Sequence, residues 1–373
     1  MSVGVAILGS TGSIGCSTLQ VLARQRERFR VVALTGHSNK ELLARQAAEW
    51  NPAFVGLVNG TGDEGGGQGT SCLVEAATHP DVRIVVNGIV GAAGLEATLA
   101  ALRAGKRVAL ANKETLVMAG ELVTRAAREG GGEIVPVDSE HSAVLQCVTG
   151  RRPVELARLI LTASGGPFRT WEPARAAQAT VAEALRHPTW KMGKKITVDS
   201  ATLVNKALEV IEAHYLFDVD YGKVDVVIHP QSVIHAFAEF VDGSVLAQVG
   251  FPTMELPILY ALTHPERVPD TGVRRFDPVA AGDLTFESVR PELFPAYSLG
   301  RGAALAGGTA PAAFNAANEV AVELFLEERI PFGRIADIIA GALARHQPGD
   351  AGSLDAVLAA DADARRLARE AAC

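Results

Sequence analysis

The sequence predicts an α/β protein in which a parallel sheet is followed by an α+β region and then by helices. Between Val3 and Val137, short runs of β-branched residues alternate with Ala- and Leu-rich runs of helical periodicity. This alternation is typical of βαβ units and therefore of a parallel sheet. A chain of 373 residues also exceeds what one core usually organises, so several domains are expected.

The expected strands can be placed in order along the chain. In the N-terminal region they are residues 3–8, 31–34, 84–86, 107–110 and 133–137. In the central region they are residues 159–162, 224–228, 234–240 and 245–249, and Asp242-Gly243 predicts a hairpin turn. The glycines of residues 59–70 indicate a surface loop, and the prolines of residues 265–298 indicate an extended connection.

A glycine motif follows the first strand directly. The run Gly9-Ser10-Thr11-Gly12-Ser13-Ile14-Gly15 opens a helical pattern. Such glycines let the backbone turn tightly and approach a pyrophosphate at the start of a helix. The spacing GxxGxxG differs from the commoner GxGxxG, so a purely structural turn remains an alternative. We favour a dinucleotide-binding, Rossmann-like unit.

The residues after the second strand bear on which dinucleotide is bound. NAD-binding units commonly place an Asp or Glu there for the ribose 2'-hydroxyl. Here the sequence reads Leu34-Thr35-Gly36-His37-Ser38-Asn39-Lys40, without an acid. Polar and basic groups suit a 2'-phosphate, so NADP is favoured.

The chain is accordingly divided into four parts. Residues 1–150 form an NADPH-binding, Rossmann-like domain with a parallel sheet, and residues 151–264 form a central α+β catalytic domain. Residues 265–298 are a linker. Residues 299–373 form a C-terminal helical domain, because Val320, Leu324, Ile335, Ile338 and Ile339 lie at the spacing of an apolar helical stripe.

Composition excludes several classes of protein. A net charge of −7 lacks the basic excess that nucleic-acid binding requires. The four cysteines show no zinc or disulfide spacing, which favours a reducing compartment. The apolar stretch 84–102 is interrupted by Asn87 and Glu96 and does not fit a membrane span. Because the N-terminus also lacks the charged leader of a signal peptide, we expect a cytoplasmic protein.

Carboxylates recur in two distant segments that could share a metal. Asp138 and Glu140 end a strand at positions i and i+2 and can point to one side. Asn205, Lys206 and Glu209 can share one helix face within a segment, 199–209, that is expected to be a single capped helix. Oxygen ligands from Asp138, Glu140 and Glu209 would select Mg²⁺ or Mn²⁺. Taken alone, Glu209 is better explained as a charge on a helix surface.

Three polar segments are further candidates. The turn Ser164-Gly165-Gly166-Pro167 can present hydroxyl and N–H donors to a phosphate. Residues 187–195, with Trp190 and three lysines, suit a lid over an anionic substrate, although a solvated basic loop is an equal alternative. Asn112-Lys113-Glu114 follows a strand at the edge where doubly wound sheets bind ligands.

Seven motifs, in order over essentially the whole chain, closely resemble the 1-deoxy-D-xylulose 5-phosphate reductoisomerase family. They lie at residues 9–15, 111–114, 137–141, 164–168, 187–193, 199–209 and 229–235. The resemblance implies a homodimeric enzyme that needs NADPH and a divalent metal, Mg, Mn or Co. Its substrate would be 1-deoxy-D-xylulose 5-phosphate, rearranged and reduced to 2-C-methyl-D-erythritol 4-phosphate for isoprenoid synthesis.

The resemblance also implies roles for individual residues. The metal ligands would be Asp138, Glu140 and Glu209, which with Lys113 and His187 form the expected catalytic set. Glu140 and Glu209 would also contact the substrate, as would Lys113 and Ser139 at its oxygenated end. The phosphate end would be bound by Ser164, His187, Ser200, Asn205 and Lys206. NADPH would contact Thr11, Gly12, Ser13, Ile14, Asn39, Asn112, Glu114 and Gly193, while Trp190 and Met192 would belong to the lid.

Two rival functions were weighed against this one. A semialdehyde dehydrogenase of similar architecture would need a nucleophilic cysteine, and Cys147 has no activating context in the sequence. A regulatory protein that senses nucleotides without turnover would not need the three carboxylates, Lys113 and His187. Both rivals are therefore less favoured than the reductoisomerase.

Overall fold

A computed structural model describes residues 2–60 and 67–373 of the chain. The strands are, in chain order, β1 (Val3–Leu8), β2 (Phe29–Gly36), β3 (Phe54–Leu57), β4 (Gly67–Gln68), β5 (Ile84–Asn87), β6 (Arg107–Leu110), β7 (Glu133–Pro136), β8 (Leu156–Ala163), β9 (Val224–Ile228), β10 (Ile234–Phe240), β11 (Val245–Val249) and β12 (Glu287–Ser288).

The α-helices follow the same order. They are α1 (Ser13–Arg24), α2 (Lys40–Trp50), α3 (Ser71–Thr78), α4 (Leu95–Arg103), α5 (Lys113–Gly130), α6 (Ser139–Val148), α7 (Pro173–Ala176), α8 (Val181–Ala184), α9 (Lys194–Ala201), α10 (Val204–Phe217), α11 (Glu255–Thr263), α12 (Pro278–Ala281), α13 (Pro295–Ala306), α14 (Ala310–Leu326), α15 (Arg334–Arg345) and α16 (Leu354–Ala372). One-turn 3-10 helices lie at Gly91–Gly94, Pro153–Glu155 and Tyr221–Lys223.

The chain divides into two compact units. The first comprises Met1–Thr115, Leu122–Leu145 and Thr253–Arg275, and the second comprises Leu116–Glu121, Gln146–Pro252 and Phe276–Cys373. The boundaries of these two units differ from those of the four parts predicted from the sequence, because Thr253–Arg275 belongs to the N-terminal unit.

The first unit is built on a parallel sheet, as predicted. Within the described residues, its strand order is β4-β3-β2-β1-β5-β6-β7. The chain order therefore reverses between β1 and β5, and the carboxyl ends of such strands are where doubly wound sheets bind ligands. Helix α11 contributes Ile258 and Leu262 to the core beside this sheet, next to Leu22 and Val135.

The second unit combines a mixed sheet with helices. Its strand order is β11-β10-β8-β9-β12 in the described residues, with β8 and β9 parallel and the other pairs antiparallel. The predicted turn at Asp242-Gly243 joins β10 and β11. Helices α13 to α16 form the predicted helical C-terminal region, and the fully buried Phe314, Ile335 and Ile338 lie in its core.

Two local predictions were wrong. The expected loop 59–70 falls largely on residues 61–66, outside the described residues, but Gly67 and Gln68 form β4 and pair with β3. The segment 199–209 is not one capped helix: α9 ends at Ala201 and α10 begins at Val204, because Leu203 adopts a left-handed conformation with φ of 60°. Asp199 therefore lies near the end of a helix rather than at its start.

Among the described residues, no helix has both the length and the apolar character needed to cross a bilayer.

Candidate active site

The glycine motif forms a tight turn between β1 and α1. Gly9 has a φ of +81°, and the amide of Ser10 donates to the Thr35 carbonyl at 2.7 Å. A Cβ added to Gly15 would lie 2.4 Å from the Gly9 carbonyl oxygen, which is closer than real Cβ atoms come to any atom. The turn therefore requires glycine at position 15.

The first turn of α1 is open to a ligand. Gly12 is its N-cap and supplies no side-chain cap, while Gly12 and Ser13 are exposed and Thr11 and Ile14 are half-buried. Uncapped N–H groups at a helix start, beside glycine, are the usual partners of a pyrophosphate. The residues expected to contact the cofactor phosphates thus fit that group.

Other predicted cofactor residues shape the loops around this turn. Asn112 is buried, and its Nδ2 donates to the carbonyls of Ile89 and Gly91, both at 2.9 Å, and to Glu114 Oε2 at 3.1 Å. Asn39 caps α2 by accepting from Leu42 N at 3.1 Å. Asn112 therefore fixes the loop after β5, and the end of β2 offers an amide rather than a carboxylate.

Two carboxylates of the first unit lie where β7 gives way to α6. Lys113 Nζ lies 2.8 Å from Asp138 Oδ2, and both side chains are less than a tenth exposed. The carboxylate oxygens of Asp138 and Glu140 come within 4.8 Å of each other. Ser139 Oγ donates to Glu140 Oε2 at 2.6 Å. The structure therefore confirms that Asp138 and Glu140 converge, and it adds a buried cation to them.

The second unit holds the third predicted carboxylate on the first turns of α10. Glu209 is 1% exposed, so the surface-charge alternative is excluded. Its Oε1 accepts from Asn205 Nδ2 at 2.5 Å, and its Oε2 forms an ion pair with Lys206 Nζ. The predicted common helix face is confirmed by these two contacts. A buried carboxylate needs such compensation, because desolvating an unpaired charge is costly.

His187 and Ser164 are joined by a hydrogen bond in the second unit. His187 Nε2 lies 2.9 Å from Ser164 Oγ, and Nδ1 accepts from the backbone amides of Thr189 and Trp190 at 3.1 and 2.8 Å. Because Nδ1 accepts both bonds, the proton of the neutral ring is on Nε2 and is donated to Ser164. Burial lowers the pKa of His187 from 6.5 to about 4, which maintains this neutral form.

The hydroxyl hydrogen of Ser164 can therefore be donated to a ligand. Its Oγ accepts from His187 and from the amide of Gly166 at 3.2 Å, so its own O–H points elsewhere. A Cβ on Gly166, whose φ is +65°, would lie 2.6 Å from the Ser200 carbonyl oxygen. The Ser164 turn and Ser200 are therefore neighbours, as a shared phosphate site requires.

The segment 187–193 connects His187 to α9 without forming a helix. Lys191 and Gly193 are exposed, Met192 is half-buried, and the half-buried Trp190 lies with its ring centroid 6.2 Å from that of His235. Lys195, counted among the three lysines of the lid, is bound to Asp199 at 2.9 Å. The segment therefore packs Trp190 partly inward and exposes Lys191 to solvent.

Sequence reasoning assigned no role to several residues at these sites. His141 is fully buried, with Nδ1 3.4 Å from Asp138 Oδ1, and His235 lies beside Trp190. His141 lies three residues after Asp138 in the motif 137–141, and His235 ends the motif 229–235 at the start of β10, so these positions were the available sequence signal. Cys147 is buried, which agrees with its exclusion as a nucleophile.

Most of the chain is similar to proteins of one known family. Models for 1-deoxy-D-xylulose 5-phosphate reductoisomerase match residues 5–64 and 66–120, and models for its C-terminal domain match residues 134–217 and 249–367. The enzyme of that name from Ralstonia nicotianae is 50% identical, covering 98% of this chain and 96% of its own. The one from Symbiobacterium thermophilum is 49% identical, covering 99% of each chain.

Solved structures agree over the same length. The reductoisomerase from Zymomonas mobilis in complex with NADPH is 42% identical, covers 99% of both chains and has a TM-score of 0.91. A reductoisomerase structure in complex with NADPH, fosmidomycin and magnesium is 41% identical, covers 99% of this chain and 98% of its own, and has a TM-score of 0.92. The chain therefore belongs to the 1-deoxy-D-xylulose 5-phosphate reductoisomerase family.

Proposed function

We propose that this protein converts 1-deoxy-D-xylulose 5-phosphate and NADPH to 2-C-methyl-D-erythritol 4-phosphate, a step of isoprenoid precursor synthesis. The observation that carries the proposal is family membership over the whole chain. The site residues support it, since each unit contains groups suited to one part of the reaction. The enzyme acts in the cytoplasm, a reducing compartment that suits its four cysteines, which are thiols.

Asp138, Glu140 and Glu209 are the proposed ligands of a divalent cation. Carboxylate oxygens are the ligands that Mg²⁺ and Mn²⁺ prefer. Asp138 and Glu209 already form ion pairs with the ammonium groups of Lys113 and Lys206, so both positions attract positive charge. When bound, the metal supplies Lewis-acid polarisation of the substrate's carbonyl and acidifies its neighbouring hydroxyl. Lys113 and Ser139 orient the oxygenated end of the substrate, and Glu140 is kept in place by Ser139.

The phosphate end of the substrate is bound by donors of the second unit. Ser164 directs its hydroxyl hydrogen outward because its oxygen already accepts two bonds. Ser200, Asn205 and Lys206 add further donors, and His187 positions Ser164 while its ring stays neutral. Such donors hold a phosphate with charge-assisted hydrogen bonds.

NADPH is the proposed reductant and supplies the hydride. The turn at Thr11, Gly12, Ser13 and Ile14 receives the pyrophosphate, and Asn112 and Glu114 stabilise the adjoining loop. Asn39 lies where an NAD-specific protein would place an acid, and Gly193 is exposed next to α9. These features favour a cofactor with a 2'-phosphate.

A homodimer is part of the same proposal. Strand β11 forms an edge of its sheet, and the β10–β11 hairpin exposes Val241, Val245 and Leu246 by 69%, 48% and 39%. An edge strand offers unpaired backbone groups to another chain, and exposed apolar residues clustered on it favour a protein–protein contact. A second copy of this chain is the occupant that the family resemblance implies.

The reaction is tested by following NADPH oxidation with 1-deoxy-D-xylulose 5-phosphate. We expect turnover that stops when a chelator is added, returns with Mg²⁺ or Mn²⁺, and is at least tenfold less efficient with NADH. Absence of turnover with metal and NADPH both present would refute the proposed function. Equal efficiency with NADH would refute the cofactor assignment alone.

The bonds of His187 predict a pH dependence of lid closure. We infer that the described conformation, in which burial lowers the His187 pKa to about 4, is the closed form, and it binds fewer protons than an open form with an ordinary pKa near 6.5. Closure is therefore fully favoured above 6.5 and is lost as the pH falls from 6.5 toward 4. Substrate KM should rise over that window.

Calorimetry provides the direct measurement. At a pH near 5.5, binding of the substrate phosphonate analogue to the wild-type protein should release a proton, seen as a binding enthalpy that depends on the buffer. His187→Asn keeps an acceptor near the position of Nδ1 but has no titrating ring, so this release should shrink. If both proteins release the same number of protons, His187 does not couple lid closure to pH.

A further inference from the structure

Asp199 is a buried carboxylate that connects two helices of the second unit. It lies on α9 and is 1% exposed. Its Oδ2 binds Lys195 Nζ at 2.9 Å, one turn earlier on the same helix. Its Oδ1 accepts from Asn318 Nδ2 at 2.8 Å, and Asn318 is a fully buried residue of α14. Neither Asp199 nor Asn318 has a role in the reaction proposed above.

The next residue along α9 is Ser200, a proposed phosphate ligand. Adjacent residues of a helix project about 100° apart, so contacts that fix the rotation of α9 at Asp199 also fix the side of the helix from which Ser200 projects. The carbonyl of Ser200 packs against Gly166, in the turn that carries Ser164. Asp199 therefore determines how Ser200 is set against Ser164.

Lys195 extends the same connection to the lid. Helix α9 begins at Lys194, directly after the segment 187–193, and Gly193 caps it without a side chain. With its ammonium bound to the buried Asp199, Lys195 anchors the C-terminal end of that segment. The N-terminal end is anchored by His187, which accepts from Thr189 and Trp190.

We propose that Asn318 is a positioning residue for the substrate phosphate, acting through Asp199 on Ser200 and on the lid anchor Lys195. The inference rests on the proposed function, because it assigns Ser200 to the phosphate. Asn318 donates a hydrogen bond from its uncharged amide to the second carboxylate oxygen of Asp199. Without this donor, the buried carboxylate has to turn toward other donors, and α9 turns with it.

A neighbouring asparagine provides a matched control. Asn315 lies one turn earlier on α14, is also fully buried, and donates from Nδ2 to Glu319 Oε1 at 3.0 Å. Asn315→Leu and Asn318→Leu therefore each remove a hydrogen bond from a buried asparagine amide to a carboxylate, and both lie on the same helix. Only the second removes a contact to α9.

The experiment measures the affinity of each protein for inorganic phosphate by calorimetry, followed by steady-state kinetics. We expect Asn318→Leu to weaken phosphate binding about tenfold or more and to raise the substrate KM similarly, with kcat changed less than threefold. Asn315→Leu should leave phosphate affinity within twofold of the wild type. NADPH affinity should be unchanged in both variants.

Equal phosphate affinity in the two variants, or an unchanged affinity in Asn318→Leu, would overturn the inference. If Asn318→Leu does not fold, Asn318→Ala is used, since it also removes the donor to Asp199 Oδ1 and places no larger side chain in the buried position. Weaker phosphate binding in that variant supports the inference, and unchanged binding overturns it. Because phosphate binding is measured without turnover, failure of the proposed reaction is seen separately, in the wild-type assay.

Discussion

Glu209→Gln is expected to abolish metal-dependent turnover. The substitution keeps the size of the side chain and removes the charge that a hard cation requires. Losing Lewis-acid assistance forfeits several kcal/mol of transition-state stabilisation, so turnover should fall roughly 10²- to 10⁴-fold. Metal affinity should fall in parallel, while NADPH binding should persist because the glycine turn lies in the other unit.

Stability has to be separated from this effect. Glu209 is buried and forms an ion pair with the buried Lys206, so Glu209→Gln removes the negative partner of that pair, and breaking a buried pair costs about 3–5 kcal/mol. Combining it with Lys206→Met removes both charges and should recover part of that loss. Turnover should not recover, because the metal ligand is still missing and Lys206 is itself a proposed donor to the substrate phosphate, so the double variant is used for stability alone.

Glu319→Gln is the matched control for the loss of an ion pair. Glu319 is paired with Arg365 at 2.6 Å, and the two side chains are 17% and 23% exposed. This variant should be destabilised but should keep its metal dependence. Asp138→Asn should behave like Glu209→Gln. Near-normal turnover with unchanged metal affinity in either variant would remove that residue from the proposed metal site.

Local features of the fold could be predicted from sequence. The strands at residues 3–8, 107–110, 224–228, 234–240 and 245–249 were placed correctly because their apolar runs are bounded by turn residues. The glycine turn and the contacts from Asn205 and Lys206 to Glu209 also depend on spacing within one element. Such patterns act over a few residues, where periodicity is informative.

Contacts between distant segments could not be predicted in the same way. The break between α9 and α10 depends on the left-handed Leu203, a conformation that leucine rarely adopts and that no local pattern indicates. The segment Thr253–Arg275 joins the N-terminal unit through α11 and the ion pairs of Arg24 with Glu255 and Asp270. These residues are more than two hundred positions apart, and a single sequence carries no signal of their pairing.

The electrostatic environment of the site could likewise not be predicted from the sequence. The sequence indicated that Asp138 and Glu140 converge but not that Lys113 lies 2.8 Å from Asp138. It indicated that His187 belongs to a lid, but not that lid amides of Thr189 and Trp190 select its tautomer. Burial decides both features, and burial depends on the packing of the complete unit.

Gly15→Ala is expected to eliminate NADPH binding with little effect on the second unit. The added methyl would lie 2.4 Å from both the Gly9 carbonyl oxygen and the Ser10 Cα, and these backbone atoms cannot move aside without opening the turn. Overpacking of this kind costs about 1–3 kcal/mol. Opening the turn also misdirects the amides at the start of α1, and each lost charge-assisted bond is worth about 1.5–3 kcal/mol.

Loss of one such bond weakens binding roughly ten- to a hundredfold, so NADPH affinity should fall at least that far. Gly12→Ala is the graded control, because its added methyl would approach the Gly9 carbonyl oxygen only to 3.3 Å and the effect should be smaller. Fluorescence titration with NADPH measures both variants, and inorganic phosphate affinity checks that the second unit is intact. NADPH affinity within threefold of the wild type in Gly15→Ala would mean that the glycine turn does not hold the pyrophosphate.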